Sequence, residues 1–218
     1  VIASALVEQE GFAAMVLRLR AEGLTAKGLL NAVEQTPRSV FAPPLYKREA
    51  LSSRLVPLDC GSFMEGYDFA VRILNALNVK PGQRILEVGT GSGFTAAVMS
   101  RIAERVLTID RYRSLVASAQ RGFEELGIRN IIARQGDGSN GLIGEGTFDR
   151  ILVTTAFDSL PRSYTDHLVS GGVLLLPIMI SEIDCRMVRI TRTGSRFERE
   201  DLFSAPYLPI VPQLAAYL

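Results

Sequence analysis

Arg84-Ile85-Leu86-Glu87-Val88-Gly89-Thr90-Gly91-Ser92-Gly93-Phe94 is a short apolar strand pattern that runs into three alternating glycines and then into helix-forming residues. Glycine in such a loop leaves the backbone amides bare, where a Cβ would block a ligand's approach or forbid the backbone angles. Loops of this kind serve several nucleotide-binding families, and an ordinary tight strand–helix turn gives a similar string. The flanking residues narrow the choice. Glu87 precedes the loop, where a carboxylate could hold a cationic group directly or through water. Asp110 closes the next strand about twenty residues after Gly89, the distance at which an acid meets ribose hydroxyls. Arg111 follows it. Asp137, within Gly136-Asp137-Gly138 at the end of a third strand, is placed to meet an adenine edge.

Two absences matter as well. The dinucleotide fingerprint G-x-G-x-x-G would need glycine where Phe94 stands, and there is no Walker lysine. Together these residues favour a cofactor with a ribose and a positive charge but no pyrophosphate, which S-adenosyl-L-methionine fits. The expected cofactor-binding set is Glu87, Gly89, Thr90, Gly91, Ser92, Gly93, Asp110, Arg111, Asp137 and Gly138.

Outward from the loop the chain alternates strand and helix. A helix is expected over Ala96–Ile102, a strand over Val106–Ile109, and a helix carrying Val116, Ala119, Phe123 and Leu126 that stops at Gly127. Strands follow at Ile131–Ala133 and Asp149–Thr154, then a helix from Pro161 to just before Gly171-Gly172, and a strand at Val173–Leu176. The apolar character of these strands suits a sheet covered on both faces. Arg186–Thr191 and Phe197–Leu202 flank Thr193-Gly194-Ser195 as an antiparallel hairpin. On the N-terminal side, Phe12–Arg20 reads as helix, Thr25 as an N-cap before Leu29, Leu30 and Val33, and Pro43-Pro44 as an extended connection. Leu51–Gly66 reads as loop, and Tyr67–Leu77 carries one apolar helical face. The expected fold is α/β: a Rossmann-like, doubly wound, mostly parallel sheet with a C-terminal antiparallel hairpin and a helical N-terminal segment. We expect a single domain over 1–218, with residues 1–66 on the substrate side and 67–218 forming the cofactor-binding core.

Composition excludes more than it identifies. With 47% apolar residues in 218 the chain can bury a substantial core, and its apolar runs are too short to span a bilayer. Net charge is +1, with Lys and Arg dispersed, so nothing points to nucleic acid or a membrane surface. Cys60 and Cys185 form no metal-ligand pattern and read as unpaired thiols of a reducing cytoplasm. His167 is the one histidine, too few for a zinc site or a Ser/His triad, and suits a helix end. The N-terminus has no basic region followed by an apolar stretch, which also suggests a cytoplasmic chain.

These segments resemble the protein-L-isoaspartate O-methyltransferases over nearly the whole chain. Arg84–Phe94 is similar to that family's first motif and Gly136-Asp137-Gly138 to its second. Phe148–Ala156 with Leu160-Pro161, Gly171–Pro177, Pro37-Arg38 with Phe41, and Tyr207-Leu208-Pro209-Ile210 match further segments. The resemblance implies transfer of the sulfonium methyl to the free α-carboxylate of an L-isoaspartyl residue in a protein or peptide, the start of protein repair. A carboxylate of pKa about 4 is already ionised at neutral pH, so the reaction needs orientation and exclusion of water more than a strong base.

One stretch departs from the pattern. Where the family carries Thr-Ile-Ser-Gln-Pro, whose hydroxyls hold the acceptor carboxylate, this chain has Phe63-Met64-Glu65-Gly66-Tyr67, with Ser62 beside it. Glu65 and Ser62 are therefore the candidate catalytic residues. An ionised Glu65 about 4 Å from an incoming carboxylate would cost roughly 4 kcal/mol at an effective dielectric near 20. That exceeds the roughly 1 kcal/mol of a lost hydroxyl hydrogen bond. This predicts weak or absent isoaspartyl activity, unless Glu65 turns to solvent. It leaves open a different acceptor for the same fold, and a protein that binds cofactor or partner without catalysis.

Overall fold

The computed structural model describes residues 2–142 and 144–216. The N-terminal part carries helices α1 (Ile2–Ala21) and α2 (Lys27–Glu34), short 3-10 turns, the two-residue strands β1 (Val56–Pro57) and β2 (Phe63–Met64), and helix α3 (Tyr67–Leu77). The alternating part follows as β3 (Arg84–Val88), α4 (Phe94–Ser100), β4 (Arg105–Asp110), α5 (Arg113–Glu125), β5 (Ile131–Gln135), β6 (Phe148–Val153), α6 (Arg162–Asp166) and β7 (Leu168–Met179). Strands β8 (Cys185–Thr193) and β9 (Arg196–Ala205) close the sheet.

Seven strands form one sheet in the order β5-β4-β3-β6-β7-β8-β9. Strands β3 to β7 pair in parallel, and β8 and β9 antiparallel, as the alternation and the hairpin turn predict. From β3 the chain winds outward through β4 and β5, then returns to place β6 on the other side of β3. The C-terminal end of β3 is therefore the point where the winding reverses, the place where a crevice opens in such sheets.

Side-chain alternation along β3 feeds two cores. Ile85 joins an apolar cluster with α2, α3, α4 and α5, while Leu86 and Val88 join a second on the opposite face. The second face is covered thinly, by α6 and the loops bearing Leu142, Phe157 and Leu160.

Several local expectations are corrected. Helix α4 begins at Phe94, not Ala96, because Gly93 at φ +89° turns the chain straight into helix. Thr25 is not an N-cap: α2 starts after Ala26 with no side-chain cap. The stretch expected as loop contains the β1–β2 pair, Val56 against Met64. The helix after Pro161 stops at Asp166, and β7 runs through Gly171-Gly172. Phe148 pairs with Leu168 and Arg150 with Val173, so residues 169–172 bulge out of the ladder, a form glycine tolerates. Strand β5 extends to Gln135 beyond the apolar residues because it is an edge strand with alternately exposed side chains.

Candidate active site

The glycine loop leaves β3 on a bent path fixed by its neighbour β4: the amides of Gly89 and Thr90 both donate to the carbonyl of Ile109, at 2.8 and 3.0 Å. Gly89 lies at φ +97°, and a Cβ there would drive into the hydroxyl of Thr154 at the end of β6. That crossing is closed to any other residue. Beyond it the loop borders a cavity walled also by Ile109, Asp110, Arg111, Tyr112, Gly136, Gly138, Thr154, Thr155 and Leu208–Val211.

Each expected cofactor residue has a definite place. Gly89, Thr90, Gly91, Ser92, Asp110, Arg111 and Gly138 border the cavity. Asp110 is buried, and its Oδ2 and Oδ1 accept the amides of Gly91 and Tyr112, both at 3.0 Å. Burial raises its pKa against those amide hydrogen bonds. Gly93 stands behind the loop, where a Cβ would come within 2.7 Å of the Ala119 Cβ.

Two acids lie off the cavity wall. Glu87 is fully buried behind the loop, where its oxygens accept from the hydroxyls of Thr95 (2.5 Å) and Thr108 (2.6 Å). The Thr108 hydroxyl also lies 2.7 Å from that of Thr90, and either of the two can donate. The result is a buried string from Thr90 in the loop to Glu87. Desolvation pushes the Glu87 carboxyl up to about 8. Asp137 lies between Gly136 and Gly138, which border the cavity, but does not border it itself. Its Oδ1 accepts the amide of Ser139 and its Oδ2 that of Gln213, both at 2.8 Å, pinning the C-terminal segment across the cavity.

The opposite wall is built by Ser62, Phe63, Glu65 and Tyr207, with Cys60 and Gly61 at the edge. Glu65 is half-buried and does not turn to solvent: its Oε1 accepts from the Tyr207 hydroxyl at 2.7 Å. The Phe63 and Tyr207 rings stack with centroids 6.1 Å apart. Behind Glu65 the guanidinium of Arg38, wholly buried against the rings of Tyr67 and Phe94, donates through Nη2 to the Glu65 carbonyl. Burial lowers the Arg38 pKa to about 10 against the pull of Glu65. Burial, then Glu65, pushes the Tyr207 phenol well up. Arg38 is itself aligned by Glu8 of α1, whose carboxylate accepts the amides of Arg38 and Ser39.

Sequence reasoning assigned no site role to Tyr207, Arg38, Thr154 or Thr155. The threonines were detectable, since they end a parallel strand beside the reversal point. Tyr207 and Arg38 join the site through long-range packing, which no local spacing reports. Among the described residues no cluster of His, Cys, Asp and Glu could hold a metal, and no helix is long and apolar enough to cross a membrane. His167 sits at the end of α6, with Nδ1 2.6 Å from the Gly146 carbonyl.

Residues 10–215 match the family model described as protein-L-isoaspartate(D-aspartate) O-methyltransferase. The protein-L-isoaspartate O-methyltransferase of Rhizobium meliloti is 71% identical over 94% of this chain and 100% of its own length. That of Xanthobacter autotrophicus is 41% identical over 97% and 96%. Among solved structures, a protein-L-isoaspartate O-methyltransferase superposes with TM-score 0.80 at 22% identity, covering 95% of this chain and 67% of that one. A Plasmodium falciparum structure described as a candidate protein-L-isoaspartate O-methyltransferase in complex with S-adenosyl-L-homocysteine gives 0.77 at 20% identity over 91% and 97%. At such identities the structural likeness speaks for the fold, and the sequence relatives speak for the family. The altered stretch Phe63–Tyr67 does not remove the chain from that group, and the readings of a different acceptor or a non-catalytic binder are not favoured. This chain belongs to the protein-L-isoaspartate(D-aspartate) O-methyltransferase family.

Proposed function

We propose that the chain methylates the free carboxylate of isoaspartyl residues in damaged proteins and peptides, as an S-adenosyl-L-methionine-dependent O-methyltransferase that starts their repair. The observation that carries this is one continuous cavity joining the glycine loop and Asp110 to the wall of Ser62, Phe63, Glu65 and Tyr207, in a chain 71% identical to such an enzyme.

The residues fit the cofactor. Asp110 uses each oxygen for one backbone amide, and a carboxylate oxygen accepts two hydrogen bonds, so both retain capacity for a ribose diol. Ile109, Tyr112 and Ile210 offer apolar surface for a flat base. The bare backbone of Gly89–Ser92 leaves room for the amino-acid part of the cofactor, with Gly138 beside it. S-adenosyl-L-methionine, when bound, supplies an electrophilic methyl on a sulfonium.

The protein's part is placement. Glu87 supports the loop through Thr95 and, by way of Thr108, through Thr90. Gly93 allows α4 and α5 to close behind the loop, and Asp137 holds the C-terminal segment over the cavity. Arg111 lies along the wall beside Asp110. Ser62 lies where an acceptor carboxylate can be oriented, and Glu65 borders the same space, while the hydroxyls of Thr154 and Thr155 donate to the carbonyls of Val88, Gly89 and Leu208 and hold that wall in place. The negative charge of Glu65 is moderated by the Tyr207 hydroxyl and by the guanidinium behind it, which lowers the repulsion expected for a bare carboxylate.

Residues 1–66 supply most of the acceptor side and 67–218 the cofactor side of one domain, with Tyr207 reaching across to the acceptor wall. The apolar cluster that runs from Met15 and Val33 through Ile85 to Leu175 supports this unity. The free thiols Cys60 and Cys185 suit a reducing compartment, in keeping with a cytoplasmic enzyme. The test is methyl-ester formation on an aged protein, read as base-labile label from the labelled cofactor. Label that resists base, or none, would reject carboxyl methylation.

A further inference from the structure

The charged side chains that line the cavity are unevenly placed. Asp110 and Arg111 stand at the glycine-loop end, while Glu65 alone stands with Ser62, Phe63 and Tyr207. No basic side chain among the described residues lines that wall. Glu65 is also held firmly. Its Oε1 takes the Tyr207 hydroxyl at 2.7 Å, its carbonyl takes Arg38, and the Tyr207 ring is flanked by Phe63 and Phe69, with centroids at 6.1 and 6.2 Å. Arg38 is 0% exposed and cannot itself meet a substrate. Oε2 takes no hydrogen bond from the described residues, and Glu65 borders the cavity.

We infer that Glu65 is a specificity-determining residue that favours isoaspartyl sites flanked by basic side chains and disfavours those flanked by acidic ones. This rests on the isoaspartyl reading above. Every isoaspartyl substrate brings the same accepting carboxylate, so its interaction with Glu65 is common to all and discriminates among none. Neighbouring residues differ in charge, and in a half-buried cleft they feel the field of a fixed carboxylate. A unit charge about 6 Å from Glu65, at an effective dielectric near 40, changes affinity about tenfold, upward for Lys or Arg and downward for Asp or Glu. Such a fixed charge acts mainly on partner choice, which is the usual consequence of electrostatic complementarity.

The test compares kcat/KM for three isoaspartyl peptides that differ only in carrying Lys, Ala or Glu beside the isoaspartyl residue. At low salt the wild type should rank them Lys, Ala, Glu, with about a tenfold step on each side of Ala and so about a hundredfold span. Glu65→Gln keeps an acceptor for Tyr207 but removes the charge, and should compress the span to about twofold, with an unchanged melting temperature as the check on folding. Raising the salt from about 0.05 to 0.5 M should shrink the wild-type span without any substitution. A flat wild-type series, a span indifferent to salt, or a Glu65→Gln enzyme that keeps the ranking would overturn the role of Glu65. Transfer to none of the three peptides would instead overturn the isoaspartyl reading itself.

Discussion

The two ends of the cavity are held together in different ways. At the glycine-loop end, the parts come from β3, β4 and the turns that follow them, and they are joined by backbone hydrogen bonds and short side chains. At the opposite end, Arg38, Ser62–Glu65 and Tyr207 come from widely separated segments, with Glu65 and Tyr207 142 residues apart, and long side chains join them. The first construction tolerates little variation, because a backbone path has few alternatives. The second can exchange one side chain for another while the fold is kept. Side chains on that wall, such as Phe63 and Glu65, are thus free to vary while the fold is kept.

The sharpest way to break this contrast is at the loop. Gly89→Ala places a Cβ at φ +97° against Thr154, and should weaken S-adenosyl-L-homocysteine binding about 100-fold by calorimetry, since strained backbone and a clash act together. An affinity near that of wild type would show the loop to be as adaptable as the other wall. Asp110→Ala comes next. It strips the acceptor from the amides of Gly91 and Tyr112 and from the ribose, and should cost about 10- to 50-fold in the same measurement.

The same contrast explains what could be read from sequence. Gly89, Gly91, Asp110 and Gly138 border the cavity as the sequence leads one to expect, because strand–loop–helix geometry is local and repeats at short spacing. The roles of two acids were not readable in that way. Glu87 and Asp137 hold strand-end positions like Asp110's, yet their carboxylates are turned onto Thr95 and Thr108 in one case, and onto Ser139 and Gln213 in the other. Strand position gives the address of a residue, and packing decides where its side chain points. Helix lengths failed for a related reason: α6 is short because β7 starts early and bulges at residues 169–172, a pairing choice made by β6.

Glu87 gives a prediction in stability. Its folded pKa of about 8 lies above that of an exposed glutamate, so the folded chain holds a proton that the unfolded chain has released. Stability from this group is therefore greatest at low pH, declines as pH rises from about 4.5 to 8, and is flat above. Melting curves across that window should show a loss of several degrees in the wild type that Glu87→Gln, an analogue of the protonated acid, does not share. Equal slopes would place the Glu87 carboxylate in a more solvated setting than the buried threonine string. The smallest effect is expected from Asp137→Ala, which frees the Gln213 amide and should speed release of S-adenosyl-L-homocysteine about fivefold in stopped-flow measurements. An unchanged release rate would mean that the C-terminal segment does not retain the cofactor.

The most direct measurement of the central claim uses one peptide made twice, with aspartate or L-isoaspartate at a single position, and labelled S-adenosyl-L-methionine. The account predicts base-labile methyl transfer to the isoaspartyl form and none to the aspartyl form. Cofactor binding with no transfer to the isoaspartyl peptide, whatever its flanking charge, would contradict it.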